Sequence, residues 1–247
     1  MQNNKFKREL VFSVILISLY FALLNLANKL SSAINTPNSI NALVEIVFFV
    51  AVIVYLKKKK LLSYYGVNSL KELDYKNLLF CAPMIVVASV NLRYGINIDN
   101  SWEQVFFITL KMLGVGFAEE ILFRSFLMKA IMNKSTTAAV IVSSTVFGMI
   151  HIFNLLYGAD TTATLAQVVF ATALGLMFSM FFFKTNNIVP CVICHSIINM
   201  TNMFLPNDLS NKQLYTGWII IIIPSVFYAF YLYKTEKALV KKNYVKS

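Results

Sequence analysis

The chain has 247 residues, of which 58% are hydrophobic and only 13% are charged, and its mean hydropathy is +0.66. Because soluble domains average about 25% charged residues, this composition excludes an ordinary water-soluble protein and predicts an integral membrane protein. A formal net charge of +11 would suggest nucleic-acid binding in a soluble protein, but the placement of the basic residues gives it a different meaning.

Eight apolar segments predict membrane-spanning helices, since a span needs roughly 20 mostly apolar residues. They lie at residues 10–30, 39–56, 78–95, 103–131, 136–157, 164–183, 188–205 and 215–233. The first apolar stretch is longer than the core of a signal peptide and is followed by no clear cleavage site, so we predict a retained helix. The sequence therefore predicts an all-α, polytopic membrane helix bundle that forms one integral domain over residues 1–247.

Basic residues are concentrated in alternate connections of this bundle. If the N-terminus is cytoplasmic, the outside connections carry only Lys29, Arg93 and Lys212, and the inside connections carry most of the remaining lysines. The positive-inside rule then predicts that both termini are cytoplasmic. Because the charge is explained by orientation and by contact with anionic lipid, we expect the lipid bilayer, and no nucleic acid, as a partner. The Lys-, Asn- and Ile-rich composition suggests an AT-rich bacterial source and therefore the bacterial cytoplasmic membrane.

Few ionisable side chains lie deep within the predicted spans. Glu119 and Glu120 do so in the segment GVGFAEEILFRSFL, and the two histidines of the chain, His151 and His195, do so in later segments. Other acidic residues fall in loops or near span ends, where Glu45 is predicted to be a solvated carboxylate. An ionisable group in the hydrocarbon region is costly and by default marks a function or a specific pairing.

Of the two adjacent glutamates, one carboxylate is predicted to form an ion pair and the other to remain unpaired. Glu120 and Arg124 are four residues apart, so they share a helical face and are predicted to pair. Glu119 projects about 100 degrees away from Glu120 around the helix and is left available. Lys111 precedes the two glutamates in the same predicted span; it has no partner nearby in the sequence and is assigned no role. The glycines at 114 and 116 are predicted to allow close helix packing.

Four-residue spacing recurs around both histidines. Phe147 and His151 are predicted to place an aromatic ring beside an imidazole, and His195 and Asn199 form a second pair on one helical face. His195 also ends the pattern C-x-x-C-H at residues 191–195, which is typical of covalent haem attachment. That attachment needs an extracytoplasmic site, whereas this pattern lies near the predicted cytoplasmic side, so we predict that both cysteines are small buried residues.

Three motifs, in this order on successive hydrophobic segments, resemble those of the CPBP family. This family comprises the type II CAAX prenyl proteases and the bacteriocin-processing or immunity (Abi) proteins. The motifs are E-E-x-x-x-R (Glu119, Glu120 and Arg124), F-x-x-x-H (Phe147 and His151) and H-x-x-x-N (His195 and Asn199). They lie within residues 103–205, which we predict to be the motif-bearing catalytic core, and every motif position is filled.

The resemblance implies proteolysis within the membrane. Glu119 and His151 would activate a water molecule for attack on a peptide carbonyl, and His195 and Asn199 would stabilise the oxyanion. The implied substrate is a membrane-associated hydrophobic or lipidated peptide or protein, and a prenylated CAAX protein, a bacteriocin precursor and a signalling-peptide precursor are all compatible with it.

Three alternatives accompany this prediction. Glu120 and Arg124 would orient the Glu119–His151 pair, or would only be an internal ion pair. The sequence makes no cofactor certain: the reaction could be metal-free, or Glu119, His151 and His195 could be the ligand set of a catalytic Zn²⁺. Finally, the same motifs are compatible with a non-catalytic membrane protein that gives bacteriocin immunity or regulates a partner; a transporter is disfavoured because the sequence has no internal repeat.

Overall fold

The computed structural model describes residues 2–244, with side chains for residues 4–75, 77–156 and 158–235, and all of its regular structure is helical. The α-helices in chain order are α1 (Gln2–Ala33), α2 (Ser39–Lys58), α3 (Tyr75–Leu79), α4 (Ala82–Ser89), α5 (Trp102–Glu120), α6 (Lys129–Met132), α7 (Thr136–Met149), α8 (Thr161–Thr185), α9 (Val189–Met203) and α10 (Asn211–Tyr244). A π-helical segment, Ile121–Met128, joins α5 to α6, and 3-10 helices lie at Leu70–Glu72, Val90–Tyr94 and Ile150–Tyr157. The all-α prediction is confirmed.

Six helical stretches are long and apolar enough to cross a membrane, and they confirm a multi-pass membrane protein. These stretches are Asn4–Ala33, Ser39–Lys58, Asn77–Tyr94, Thr136–Leu156, Thr161–Thr185 and Asn211–Thr235. The predicted spans 103–131 and 188–205 are not among them. The first is interrupted by charged residues, and the helix in the second, α9, has only 15 residues. Among the described residues, six of the eight predicted spans are therefore supported by helix length and hydropathy.

Both of these polar helices nevertheless run through the bundle from end to end. Ile188 N, just before α9, donates a hydrogen bond to Gly66 O, whereas Phe204 O, just after α9, accepts one from Asn97 N. We call the first end, formed by connections 59–69, 133–135 and 186–188, the basic end because lysines cluster there. The other end, formed by connections 34–38, 95–101, 158–160 and 204–210, we call the opposite end.

Local sequence explains where several helices begin. The side chains of Ser101, Ser135 and Asp160 accept hydrogen bonds from backbone N–H groups in the first turns of α5, α7 and α8. Such caps satisfy donors that have no partner within the helix. Pro190 lies in the first turn of α9, where its missing N–H costs nothing.

The π-helical segment and the second half of α8 lie in the interior of the bundle. All eight residues of the π-helical segment are buried, and α8 buries most of residues 171–182 while it packs against α7 and α10. The last residues of α5, 116–120, are buried as well. This position explains why Glu119, Glu120 and Arg124 are tolerated: their side chains meet other helices rather than lipid.

Two glycines on α5 permit its close approach to neighbouring helices. A Cβ atom at Gly116 would lie 2.2 Å from Ser196 Oγ on α9, and one at Gly114 would lie 2.2 Å from Glu45 Cβ on α2. Both distances are far shorter than a van der Waals contact, so any larger residue would separate the helices. The packing role predicted for these glycines is confirmed.

Candidate active site

Four of the predicted site residues form a buried polar cluster between α5, the π-helical segment and α9. Glu119 and His195 are 6% and 4% exposed, and Glu120 and Arg124 are fully buried. The two carboxylates come from the last two residues of α5, and the imidazole comes from the second turn of α9. The cluster therefore joins residues that are about 75 positions apart in the sequence.

His195 bridges the two carboxylates. Its Nδ1 atom lies 2.9 Å from Glu120 Oε1, and its Nε2 atom lies 3.5 Å from Glu119 Oε2. A neutral imidazole has only one N–H, so it donates in one of these contacts; a protonated imidazole donates in both. The shorter contact, to Glu120, fixes the orientation of the ring, and the longer one leaves Nε2 beside Glu119.

Arg124 supplies the positive charge behind this cluster. Its Nη1 atom lies 3.2 Å from Glu120 Oε1, which is the ion pair that the four-residue spacing predicted. The guanidinium and the carboxylate are not oriented for a hydrogen bond. None of the three guanidinium nitrogens has a hydrogen-bond partner in the described part of the chain. Instead, the guanidinium carbon lies 4.2 Å from the centre of the Phe147 ring and 5.6 Å from that of Phe178, in the geometry of cation–π contacts.

Phe147 links the second motif to the other two. Its ring meets the His151 imidazole edge-on at a centroid distance of 5.8 Å, as the spacing predicted, and meets the His195 imidazole at 5.7 Å. His151 itself lies in the 3-10 helix that continues α7. One aromatic ring thus packs against both histidines and the arginine, and it limits the access of water to them.

Glu119, His151, His195 and Asn199 line one cavity of about 540 Å³. Glu120 and Arg124 do not line it; they lie behind His195. Of the six predicted residues, four therefore line the cavity, and Glu120 and Arg124 lie outside its lining. The resemblance implied that Glu120 and Arg124 orient Glu119 and His151. In the structure, Glu120 contacts His195, whereas Arg124 contacts Glu120 and the Phe147 ring.

The cavity extends from this cluster toward the opposite end of the bundle. Its lining there includes Asn28 of α1, Asn202 of α9 and the pair Asn154 and Gln167, whose side chains are joined by a hydrogen bond of 2.9 Å. These amides flank the connection 158–160. The polar face of the cavity therefore reaches the end of the bundle that carries few basic residues.

Sequence reasoning missed a second buried polar group next to the site. Glu45, predicted to be solvated, is 1% exposed, and it accepts a hydrogen bond of 2.8 Å from Tyr20 Oη. The prediction was wrong because α2 packs against α5 at Gly114 and encloses the carboxylate. No local pattern signals this contact, since Tyr20 and Glu45 lie on different helices. Lys111, which was assigned no role, lines the cavity and donates to Asn38 Oδ1 at 2.9 Å.

The side chains do not fit a preformed zinc site. In the described part of the chain, no three His, Cys, Asp or Glu residues are grouped so that they could hold a metal ion. The His195 Nε2 and Glu119 Oε2 atoms lie 3.5 Å apart, a separation that two ligands of one tetrahedral zinc ion can also have.

The cysteines of the C-x-x-C-H pattern are buried, as predicted. Cys191 and Cys194 are 0% and 4% exposed, and their thiols donate to the backbone carbonyl oxygens of Phe178 and Met84. Cys191 has no exposure, so its thiol is not accessible for covalent haem attachment. His195 belongs instead to the polar cluster with Glu119 and Glu120.

Comparison with known families agrees with the motifs. Residues 101–201 match the family model described as Type II CAAX prenyl endopeptidase Rce1-like. The match begins at the cap of α5 and ends within α9, so it contains all six candidate site residues. Searches of curated proteins and of solved structures gave no match. The predicted resemblance to the CPBP family of membrane proteases is thereby confirmed: residues 101–201 are similar to the family of type II CAAX prenyl endopeptidases described as Rce1-like.

Proposed function

We propose that this protein is an intramembrane endopeptidase that hydrolyses a peptide bond in a membrane-associated hydrophobic or lipidated peptide or protein. The observation that carries the proposal is that Glu119, His151, His195 and Asn199 line one cavity within the bundle. A carboxylate, two imidazoles and an amide are the groups that general-base hydrolysis and oxyanion stabilisation require. The Rce1-like family match over residues 101–201 supports the same activity.

In the proposed reaction, a water molecule in the cavity attacks the scissile carbonyl carbon. Glu119 accepts a proton from that water, and His151 orients it. Protonated His195, which donates from Nδ1 to Glu120 and from Nε2 to the oxyanion, and the Asn199 amide stabilise the oxyanion that forms. When the carbon–nitrogen bond breaks, the proton held by Glu119 passes to the leaving amine, so that a carboxylic acid and an amine are released and Glu119 is restored.

Glu120 and Arg124 act, in this proposal, as positioning residues for His195. The 2.9 Å contact of Glu120 holds Nδ1 of the ring, which leaves Nε2 on the side of Glu119 and the cavity. Arg124 balances the buried negative charge of Glu120. Neither residue lines the cavity, so neither is proposed to touch the substrate.

We favour a metal-free reaction over the zinc alternative that Glu119, His151 and His195 would allow. Asn199 supports this choice, because its amide suits hydrogen-bond donation more than metal ligation. So does the finding that, among the described residues, no three His, Cys, Asp or Glu side chains are grouped so that they could hold a metal ion. The measurement that separates the two mechanisms is the effect of the zinc chelator 1,10-phenanthroline on peptide release, and we expect none.

The proposed function is tested by comparing membrane peptides from cells that carry the intact protein and the variants Glu119→Gln and His151→Ala. Loss of a general base lowers a rate by about 10²- to 10⁴-fold, so we expect the cleaved peptide to disappear in both variants. Glu103→Gln is the matched control, since Glu103 lies on the same helix and is exposed.

All variants are compared at equal abundance in the membrane. If the peptides and the cellular effect of the protein are unchanged in both Glu119→Gln and His151→Ala, the protease proposal is wrong. A non-catalytic partner role would then replace it. Loss of cleavage in the Glu103→Gln control would instead show that the assay reports helix stability rather than chemistry.

A further inference from the structure

A pocket of about 500 Å³ lies between α7, α8 and α10, and we call it the outer groove. Its lining residues fall within 136–141 of α7, 176–183 of α8 and 226–233 of α10, which are the parts of these helices nearest the basic end. All three helices belong to stretches that are long and apolar enough to cross a membrane. Because lining residues such as Ile141 and Phe230 are exposed, the outer groove opens toward the bilayer.

The outer groove is separate from the proposed active site. Among the described residues, none lines both this groove and the cavity that contains Glu119. The polar side chains of its described lining are Thr136, Thr137 and Tyr233, and this lining includes no carboxylate, imidazole or thiol. An apolar pocket that opens to lipid and lacks reactive groups is suited to a hydrocarbon chain.

Positive charge is concentrated at one end of the outer groove. Each of its three walls has a lysine within two residues of the lining residue nearest the basic end, and these lysines are Lys134, Lys184 and Lys234. The Lys234 ammonium lies 5.1 Å from the ring centre of Phe230, which lines the groove. Beyond the other end of the lining, none of the next five residues on any wall is charged.

The sequence after the α10 wall strengthens this asymmetry. Of the ten residues 234–243, four are lysines and one is a glutamate. The basic end is expected on the cytoplasmic side, where the leaflet carries anionic lipid. Basic pockets between membrane helices on that side are typical binding sites for anionic lipid head groups.

We infer that the outer groove binds one anionic glycerophospholipid, with an acyl chain along its apolar walls and the phosphate at Lys234. The lined part of α10 extends seven residues, or about 10 Å along the helix axis, so it accommodates the part of the chain next to the head group. Lys134 and Lys184 add positive potential at the same level. This inference does not depend on the proposed proteolysis.

The first test compares lipids that differ only in the head group. Dioleoyl phosphatidylglycerol or dioleoyl phosphatidylcholine is added to the purified full-length protein in detergent, and native mass spectrometry measures the dissociation constant of the first bound lipid. We expect phosphatidylglycerol to bind at least about 5-fold more tightly, since one lysine near an anionic head group has that effect. Lys234→Gln should weaken phosphatidylglycerol about 5-fold and leave phosphatidylcholine unchanged.

The matched control for the charge is Lys212→Gln, because Lys212 is an exposed lysine on the same helix at the opposite end. It should bind both lipids as the intact protein does. Equal affinity of the intact protein for the two lipids would overturn the inference. An unchanged preference for phosphatidylglycerol in Lys234→Gln would overturn it as well.

The second test fills the outer groove itself. Val226 lines the groove and is exposed, so Val226→Trp should weaken both lipids about 10-fold by displacing roughly two methylene groups of the chain. Phe227→Trp is the matched control, since Phe227 is 71% exposed and does not line the groove. Unchanged lipid affinity in Val226→Trp would contradict the inference.

Two further measurements complete the test. If sn-glycerol 1-phosphate, which has no acyl chains, binds as tightly as phosphatidylglycerol, the apolar groove is not the site and the inference is wrong. The melting temperature of each variant is recorded in parallel, and Val226→Phe replaces Val226→Trp if the latter does not fold.

Discussion

Arg124 places a full positive charge at a position with no exposure, and its environment is specialised for that charge. Glu120 lies 3.2 Å from it, and two aromatic rings face the guanidinium. The other oxygen of the Glu120 carboxylate has no hydrogen-bond partner in the described part of the chain. Such an arrangement is costly to desolvate, which is consistent with the positioning role that we propose for Glu120 and Arg124.

Glu120→Ala is therefore expected to destabilise the protein more than Glu119→Ala does. Removing one partner of a buried ion pair costs about 3–5 kcal/mol because the other charge is left uncompensated, whereas Glu119 lines a cavity that water can enter. The measurement is unfolding of the purified variants in mixed micelles of increasing denaturing detergent. Equal loss of stability in the two variants would contradict the assigned roles, and Glu120→Ala combined with Arg124→Met should recover part of the loss.

Residue pairs that are close in sequence were predictable, and pairs between distant helices were not. The contacts of Glu120 with Arg124 and of Phe147 with His151 follow from helical periodicity alone. The hydrogen bond of Tyr20 to Glu45 depends on how α1 and α2 meet, and no periodicity within one helix encodes that. The motifs identified which residues meet in the site, but not that Glu120 would contact His195.

The helix α5 does not continue as a regular α-helix. It changes from α-helix to π-helix at Ile121, directly after the two glutamates. π-Helical turns are rare and occur often at functional sites, and this one coincides with the segment that carries Arg124. The sequence predicted one continuous span over residues 103–131, since apolar periodicity does not distinguish the two helix types when the whole segment is buried.

The approach of α5 to α9 is expected to control activity through Gly116. In Gly116→Ala, the added Cβ would lie 2.2 Å from Ser196 Oγ, so the helices must separate and Glu119 must move away from His195. A displacement of 1 Å in a catalytic site can cost about 100-fold in rate. We expect a loss of at least that order in peptide release, with Ser196→Ala restoring part of it.

The matched control is Gly217→Ala on α10. Its added Cβ would lie 3.2 Å from the end of the Arg93 side chain, which can move aside. Activity close to that of the intact protein is expected for this variant. If Gly116→Ala is as active as Gly217→Ala, the close packing of α5 and α9 is not required for catalysis.

Over the whole molecule, basic residues and the cavity are found at different ends. The basic end carries the run Lys57–Lys60 as well as Lys129, Lys134 and Lys184, and the positive-inside rule leads us to expect it on the cytoplasmic side. The cavity extends toward the opposite end, where Asn154 and Gln167 line it. We therefore expect substrates to reach Glu119 from the outer half of the membrane.

Labelling of single cysteines in intact cells tests this orientation. In a variant without the three native cysteines, Asn207→Cys at the opposite end and Lys59→Cys at the basic end both place a thiol at an exposed position. A membrane-impermeant maleimide should label the first and not the second until the cells are opened. The reverse pattern would place the basic end outside and the cavity opening toward the cytoplasm.

Hydropathy correctly predicted six of the spans, but it did not predict the character of the other two helices. The six apolar stretches agree with six predicted spans. The remaining two, α5 with its continuation and α9, were expected to be spans like the others, yet they are the polar, interior helices. Sequence windows average over all faces of a helix, so they do not reveal that the charged face of α5 points at His195 rather than at lipid.

The polarity of α5 and its continuation has a consequence for biogenesis. An arginine at the centre of a helix opposes its partitioning from the translocon into lipid by about 2.5–3.5 kcal/mol, and this stretch carries Glu119 and Glu120 close to Arg124. We therefore expect this stretch to insert together with the later helices that pack against it, above all α9 with His195, rather than alone. The side chains that we propose for the chemistry would then also influence the order of co-translational assembly.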